Sequence, residues 1–151
     1  MLATSLRFFA CMTCVGTLVS SPAAAAPSLV GMLKCTAEVV QGQAARDWKI
    51  DCAFEPVKGQ VQHYAGAIND PGAEPRQTGK AFLVWNVLAA GAEVQSGMLV
   101  GTYQQGKAVV NGLIGGRNDA IVLQAAVGPN PQEGINLAPR VSTIRLELPK
   151  V

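Results

Sequence analysis

The sequence is poor in the residues that most often carry catalysis and nucleic-acid recognition. It contains one histidine, and Asp, Glu, Lys and Arg together make up 15% of its 151 residues. The 12 basic and 10 acidic residues are interspersed and leave a formal net charge of +2. A chain without a basic stripe lacks the electrostatic footprint that nucleic acid or anionic lipid headgroups require. We therefore expect no nucleic-acid partner.

The chain also lacks an apolar run long enough to cross a bilayer as a helix. Its two longest runs, residues 8–19 and 80–90, fall well short of the roughly 20 apolar residues that a spanning helix needs. We therefore expect a protein that does not span the membrane.

The first of these runs has the order of features typical of a secretory signal peptide. Arg7 precedes the run, Pro22 ends it, and small residues follow. Cleavage between Ala25 and Ala26 would keep Pro27 from lying directly after the cut.

The predicted leader covers residues 1–25 and leaves a single domain over residues 26–151. The short apolar run argues against the alternative of a membrane anchor. The sequence thus predicts a periplasmic or secreted protein.

Export changes how the four cysteines are interpreted. Cys11 and Cys14 leave with the leader, and they lie too early in it for a convincing lipoprotein signal. Cys35 and Cys52 remain, and an even pair in an oxidising compartment predicts a disulfide. The alternatives are a redox pair, whose cysteines usually lie two residues apart, and a metal site, for which no histidine is close enough in sequence.

Both remaining cysteines lie on the apolar faces of two alternating segments. A period of two with one apolar face predicts half-buried antiparallel strands. We expect a hairpin over residues 31–54 with a buried Cys35–Cys52 bridge. The residues on the apolar faces are Leu33, Cys35, Ala37 and Val39 in the first segment and Trp48, Ile50, Cys52 and Phe54 in the second.

Further short strands are predicted between turns rich in glycine and proline, and no segment has a helical period. The run 80–90 is apolar on both faces and predicts a strand covered on both sides, with a helix as the alternative for its Leu/Ala end. In the last strand Ile144, Leu146 and Leu148 are expected to point inward. About eight strands predict an all-β fold, either a single-domain antiparallel sandwich or a small barrel. The strands beyond the hairpin are expected at 60–69, 80–90, 97–103, 107–114, 120–127 and 143–148.

A set of short motifs follows in order along the chain after the leader. They include Gly31–Cys35, Cys52–Pro56, Leu83–Val87, Gly97–Tyr103 and Asn111–Gly116. Together they resemble the domain of unknown function 992 family, small exported proteins of Gram-negative bacteria. The short segment 104–107, and Ala125 where the family pattern has proline, mark a divergent member. The resemblance implies an envelope location and paired cysteines, and it implies no known activity.

Few side chains are candidates for catalysis. His63, the single histidine, lies in a predicted strand beside Tyr64, as surface or packed histidines often do, and a catalytic role would require matching geometry. None of Ser28, Ser96 and Ser142 lies in a Gly-x-Ser-x-Gly elbow. The segment 112–116 lacks the lysine and hydroxyl residue of a phosphate loop and predicts a tight turn or bulge. We expect no cofactor and no metal.

Carboxylates in predicted loops supply the alternative function. Asp70, Glu74, Asp119 and Glu133 could serve a hydrolase if a cleft brought two of them together. Asp70 or Asp119 could instead belong to a calcium site, but the spacing does not match an EF-hand loop. Solvated turn residues are the simpler interpretation.

The sequence therefore predicts an uncharacterised, non-catalytic exported envelope protein with a binding or structural role in the periplasm. Its ligand would be a lipid, a cell-wall fragment or an envelope protein. The apolar segments 82–88 and 98–103 would line a barrel cavity or a subunit interface. The alternative is a cell-wall-directed hydrolase, which needs two carboxylates about 5–10 Å apart in an open cleft.

Labelling of the exported, unreduced protein with a thiol reagent tests the predicted disulfide and leader together. We expect no free sulfhydryl, because Cys35 and Cys52 are paired and the other two cysteines are removed. Detection of two reactive thiols in the processed chain would contradict the pairing.

Overall fold

The computed structural model describes residues 16, 26–38, 47–69, 80–91, 94–107, 109, 112–126 and 136–150. The predicted leader, apart from Gly16, lies outside the described residues. So do the loop acids Asp70, Glu74 and Glu133.

In this part of the chain, eight strands form a closed antiparallel barrel, as the all-β prediction anticipated. The order around the barrel is β1-β2-β3-β8-β5-β6-β7-β4. Short 3-10 turns span Arg117–Asp119 and Ala138–Arg140. The strands are β1 (Ser28–Glu38), β2 (Asp47–Pro56), β3 (Gln62–Asn69), β4 (Lys80–Ala89), β5 (Gly101–Gln105), β6 (Gly112–Gly115), β7 (Ile121–Ala125) and β8 (Thr143–Glu147).

The β1–β2 hairpin carries the disulfide. Cys35 lies directly opposite Cys52 in the ladder, and their sulfur atoms are bonded, with the two Cα atoms 4.1 Å apart. Both side chains are buried, so the bridge packs against the core. A crosslink with a sequence separation of 17 residues stabilises the fold by about 3 kcal/mol on the chain-entropy model.

Alternate side chains of the strands point into the barrel and fill it. Leu33 and Phe54 are fully buried on the apolar faces of the hairpin, as the alternation predicted. The interior of an eight-stranded barrel is just wide enough to be filled by side chains. The four largest fully buried side chains are Trp85, Tyr64, Tyr103 and Phe54.

The strand β4 corrects the expectation of burial on both faces. Its inward residues Leu83, Trp85 and Val87 are fully buried, but Phe82 on the outward face is 37% exposed. A barrel of one layer buries only its inner face, so this largely apolar run, with Asn86 on the outward face, fills one buried face and leaves the other half-covered.

Three further expectations are wrong in detail. Residues 96–99 form a turn instead of the start of a strand, with Gly97 at a φ of 76°. Leu148 is 57% exposed because β8 ends at Glu147, one residue earlier than predicted. The strand β6 begins at Gly112, and Lys107 lies in a turn.

A tight turn closes the β6–β7 hairpin. Asn118 and Asp119 have φ values of 59° and 51°, and the Ala120 N–H donates to the Arg117 carbonyl at 3.3 Å. Two consecutive positive φ values match the hairpin turns whose twist suits antiparallel strands, and Asn and Asp tolerate them well. The backbone conformation of this turn therefore accounts for an aspartate at position 119.

The described residues include no helix long and apolar enough to cross a membrane.

Glycine is required where β3 and β8 approach closely. A Cβ on Gly66 would overlap the main-chain oxygen of Arg145. We expect Gly66→Ala to destabilise the fold by about 1–3 kcal/mol, since the overlap is with backbone that can yield only by moving a strand.

Urea unfolding of Gly66→Ala beside Ala67→Gly measures this effect. The control change, one residue along β3, should cost no more than about 1 kcal/mol, the usual penalty of glycine in a strand. Equal destabilisation of the two variants would contradict the close-approach argument.

Candidate functional site

A groove of about 410 Å³ opens at one end of the barrel, where β3 begins and β8 ends. Residues 60–64 form one wall, Ser96 and Gly97 form another, and Leu148 closes the third side. The sequence predicted neither the groove nor its combination of residues, because its walls come from three distant parts of the chain.

The groove presents both aliphatic and polar surface. Val61 is 52% exposed and Leu148 is 57% exposed, although both side chains are aliphatic. His63 is exposed on the same wall. Such aliphatic surface beside polar groups is common in ligand sites.

The groove exists because the ladder between β3 and β8 stops early. The last pair is Ala65 opposite Glu147, whereas β3 continues outward to Gln62. Pro149, two residues beyond Glu147, has no N–H with which to extend a ladder. From Leu148 onward, the segment after β8 therefore diverges from β3 and leaves a gap between them.

The floor of the groove is an ordered set of hydrogen bonds. The Tyr64 hydroxyl donates to Gln62 Oε1 at 2.6 Å, and the Gly97 N–H donates to the same oxygen at 3.3 Å. Gln62 Nε2 donates to the Gln95 carbonyl at 3.4 Å. Gln62 thus ties the 95–97 turn to β3.

Beneath these hydrogen bonds, Leu99 closes this end of the barrel interior. Its side chain is fully buried, and its N–H donates to the Tyr64 hydroxyl at 3.4 Å. The Tyr103 hydroxyl donates to the Leu99 carbonyl at 2.8 Å. The two tyrosines therefore satisfy both main-chain groups of a buried turn residue, which would otherwise cost free energy.

Burial affects the ionisation of both tyrosines. Desolvation raises the pKa of Tyr64 above its ordinary value of 10.0, and the hydrogen bonds from Leu99 and Gly97 partly oppose that rise. Desolvation raises the pKa of Tyr103 strongly, and its proximity to Tyr64 raises it further. Both phenols are therefore neutral at physiological pH.

The candidate residues from the sequence are scattered. Cys35 and Cys52 form the buried bridge, and Asp119 lies in the β6–β7 turn. Ser96 and His63 both line the groove. Ser142 accepts a hydrogen bond from the Asn69 side chain, and Ser28 begins β1.

Two asparagines that sequence reasoning missed complete the ladder elsewhere. Asn136 accepts from the Val84 N–H at 2.9 Å and donates to the Val84 carbonyl at 3.1 Å. Asn69 Oδ1 accepts from the N–H groups of Ser142 and Thr143 at 3.3 and 2.9 Å. Asn136 bonds to β4 just beyond the end of β7, beside the Ala126 N–H that also donates to the Val84 carbonyl, and Asn69 links the end of β3 to the start of β8. Their turn-like sequence surroundings gave no sign of these roles.

Over the described residues, no group of three or more His, Cys, Asp and Glu side chains is arranged to hold a metal ion.

Comparison with known families defines the class of protein. The family described as Protein of unknown function (DUF992) matches residues 15–147, nearly the whole chain. The chain belongs to this family, as the motifs predicted. No significant match was found among curated proteins or among solved structures.

The tyrosines predict a loss of stability in alkali. Because burial raises both folded pKa values above 10.0, their neutral forms stabilise the fold fully below that pH, and this stabilisation is lost as the pH rises further. We expect phenolate absorbance to rise at higher pH in the folded protein than in the protein unfolded in urea, where both phenols titrate normally.

Tyr103→Phe leaves Tyr64 as the only tyrosine of the chain, so the titration of the two phenols can be told apart. We expect the variant to lose about 1–3 kcal/mol in stability at neutral pH, because the buried Leu99 carbonyl loses its donor. Coincident titration curves for the folded and unfolded wild type would contradict the effect of burial.

Proposed function

We propose that this protein is a non-catalytic, exported envelope protein that binds its ligand in the groove formed by residues 60–64, 96–97 and Leu148. The observation that carries the proposal is a barrel whose interior is filled by side chains, beside an open groove with exposed Val61 and Leu148. A ligand is therefore met on the surface, at the end of the barrel.

The chemistry of the groove supports binding better than catalysis. Among the described residues that line it, the ionisable side chains are His63 and Tyr64. The raised pKa of Tyr64 and its hydrogen bond to Gln62 keep the phenol protonated and engaged. Ser96 also lines the groove, but no hydrogen bond in the described part of the chain joins it to His63, and no Asp or Glu is among the described lining residues. His63 therefore has no paired acid or activated nucleophile there with which to share a proton transfer.

The disulfide supports an exported location. Structural disulfides persist in oxidising compartments and are rare in the cytosol. The Cys35–Cys52 bridge is buried against the core, where it stabilises the fold. The predicted leader over residues 1–25 is consistent with the same compartment.

Native mass spectrometry of the protein extracted from its own envelope tests the proposal. We expect a lipid, cell-wall fragment or envelope protein to remain bound to the wild type. The double variant Val61→Asp, Leu148→Asp should lose that ligand, because it places two charges on the aliphatic walls of the groove.

Val57→Asp is the matched control, because Val57 is 65% exposed but does not line the groove. It should retain the ligand and the stability of the wild type. The proposal fails if nothing associates with the wild type, or if the groove variant and the control keep the ligand equally well.

A further inference from the structure

We infer that the groove binds an extended, uncharged peptide segment, which adds a short strand to the free edge of β3 at His63. This inference rests on the proposed binding function and names its ligand class. The recognising groups are the N–H and C=O of His63, with Val61 and Leu148 contacting side chains of the peptide.

The direction of the His63 main-chain groups follows from the alternation of antiparallel ladders. Cys35 and Cys52 are a close pair, with Cα atoms 4.1 Å apart, which is typical of a non-hydrogen-bonded position. The main-chain groups of Cys52 therefore point away from β1, toward its β3 partner Tyr64. The main-chain groups of Tyr64 point toward β2, and those of the preceding residue, His63, point the opposite way. The N–H and C=O of His63 therefore point away from β2 and toward the groove.

An independent hydrogen bond on the far side of β8 supports the same alternation. The Gln105 N–H donates to the Ser142 carbonyl at 3.1 Å, so these two residues are a hydrogen-bonded pair. Every second pair of the ladder is then hydrogen-bonded, which includes Gly101 with Leu146. The main-chain groups of Glu147 then point to β3, so Ala65 and Glu147 are hydrogen-bonded. His63, two residues from Ala65, presents its groups on the same side.

No described strand occupies this side of His63. In the register of β3 and β8 its partner would be Pro149, which cannot donate. At the ends of other strands, amide side chains bond to main-chain groups: Asn136 Oδ1 accepts from the Val84 N–H, and Asn69 Oδ1 accepts from the Ser142 N–H. At His63 no described side chain takes such a position, and His63 lines the groove.

The shape and charge of the groove select the occupant. Its volume of about 410 Å³ lies near the lower end of ligand sites, roughly 300–1,000 Å³, and suits a few residues of extended chain. The described residues that line it include no Asp, Glu, Lys or Arg, so a neutral segment contacts them without desolvating a charge. The walls at Gly97 and Leu148 make it a recess, which a peptide enters more readily than the edge of a second folded copy.

Binding of a defined peptide to the full exported chain tests the inference. The probe is acetyl-Thr-Val-Thr-Val-Thr-amide, and the control probe has the same sequence with N-methyl groups on alternate residues. We expect the plain peptide to slow hydrogen exchange at the His63 amide by at least about tenfold at saturation. The methylated peptide should bind about tenfold more weakly, because it has lost main-chain donors.

Two variants separate main-chain recognition from the imidazole. His63→Ala keeps the backbone donor and should bind the peptide within about twofold of wild type. His63→Pro removes the N–H that faces the groove as well as the imidazole, and proline is tolerated at such edge positions, so it should bind about tenfold more weakly than His63→Ala. If His63→Pro does not fold, the methylated peptide makes the same distinction on the wild type.

The inference is overturned if the plain and methylated peptides bind equally, if His63→Ala loses as much affinity as His63→Pro, or if no peptide binds. It is also overturned if sedimentation shows a dimer that His63→Pro abolishes, because the edge then belongs to a second copy. A negative peptide result with a ligand still lost from the Val61→Asp, Leu148→Asp variant leaves the groove as a site for a different ligand.

Discussion

The closure of the antiparallel ladder is the constraint on which this structure depends. The strand β1 pairs along its length with both β2 and β4, so the sheet has no free end at its first strand. A closed sheet satisfies its main-chain groups internally and confines exposed edges to places where two neighbouring strands differ in length. The function proposed for this protein lies at one such place, where β3 outlasts β8.

Short strands explain why asparagine does so much in this fold. β7 and β8 each contain five residues, whereas their neighbours β4 and β3 contain ten and eight. The longer strand is left with main-chain groups beyond the end of the shorter one. Asn136 satisfies the Val84 groups of β4 beyond the end of β7, and Asn69, the last residue of β3, accepts from Ser142 and Thr143 where β8 begins.

The sequence was sufficient for the elements that obey a simple period. The alternation around Cys35 and Cys52 predicted the first hairpin, its buried face and the position of the bridge. The alternation mispredicted Leu148, because the sequence pattern continues one residue past Glu147, where the ladder ends before Pro149. It also mispredicted residues 97–99, because the positive φ of Gly97 makes a turn of a sequence that resembles a strand. The groove was beyond prediction, because its walls meet only after residues 60–64, 96–97 and 148 are brought together by the register of β3, β5 and β8.

The position of β8 between β3 and β5 has a consequence for folding. The strands β1 to β3 form a local meander, but β3 gains its second neighbour only when residues 143–147 arrive from the far end of the chain. Closure therefore requires contacts of long sequence separation, which slow folding. The edge of β3 that faces β8 therefore stays unpaired until residues 143–147 are available, whereas the crosslinked first hairpin needs no contact from the far end of the chain.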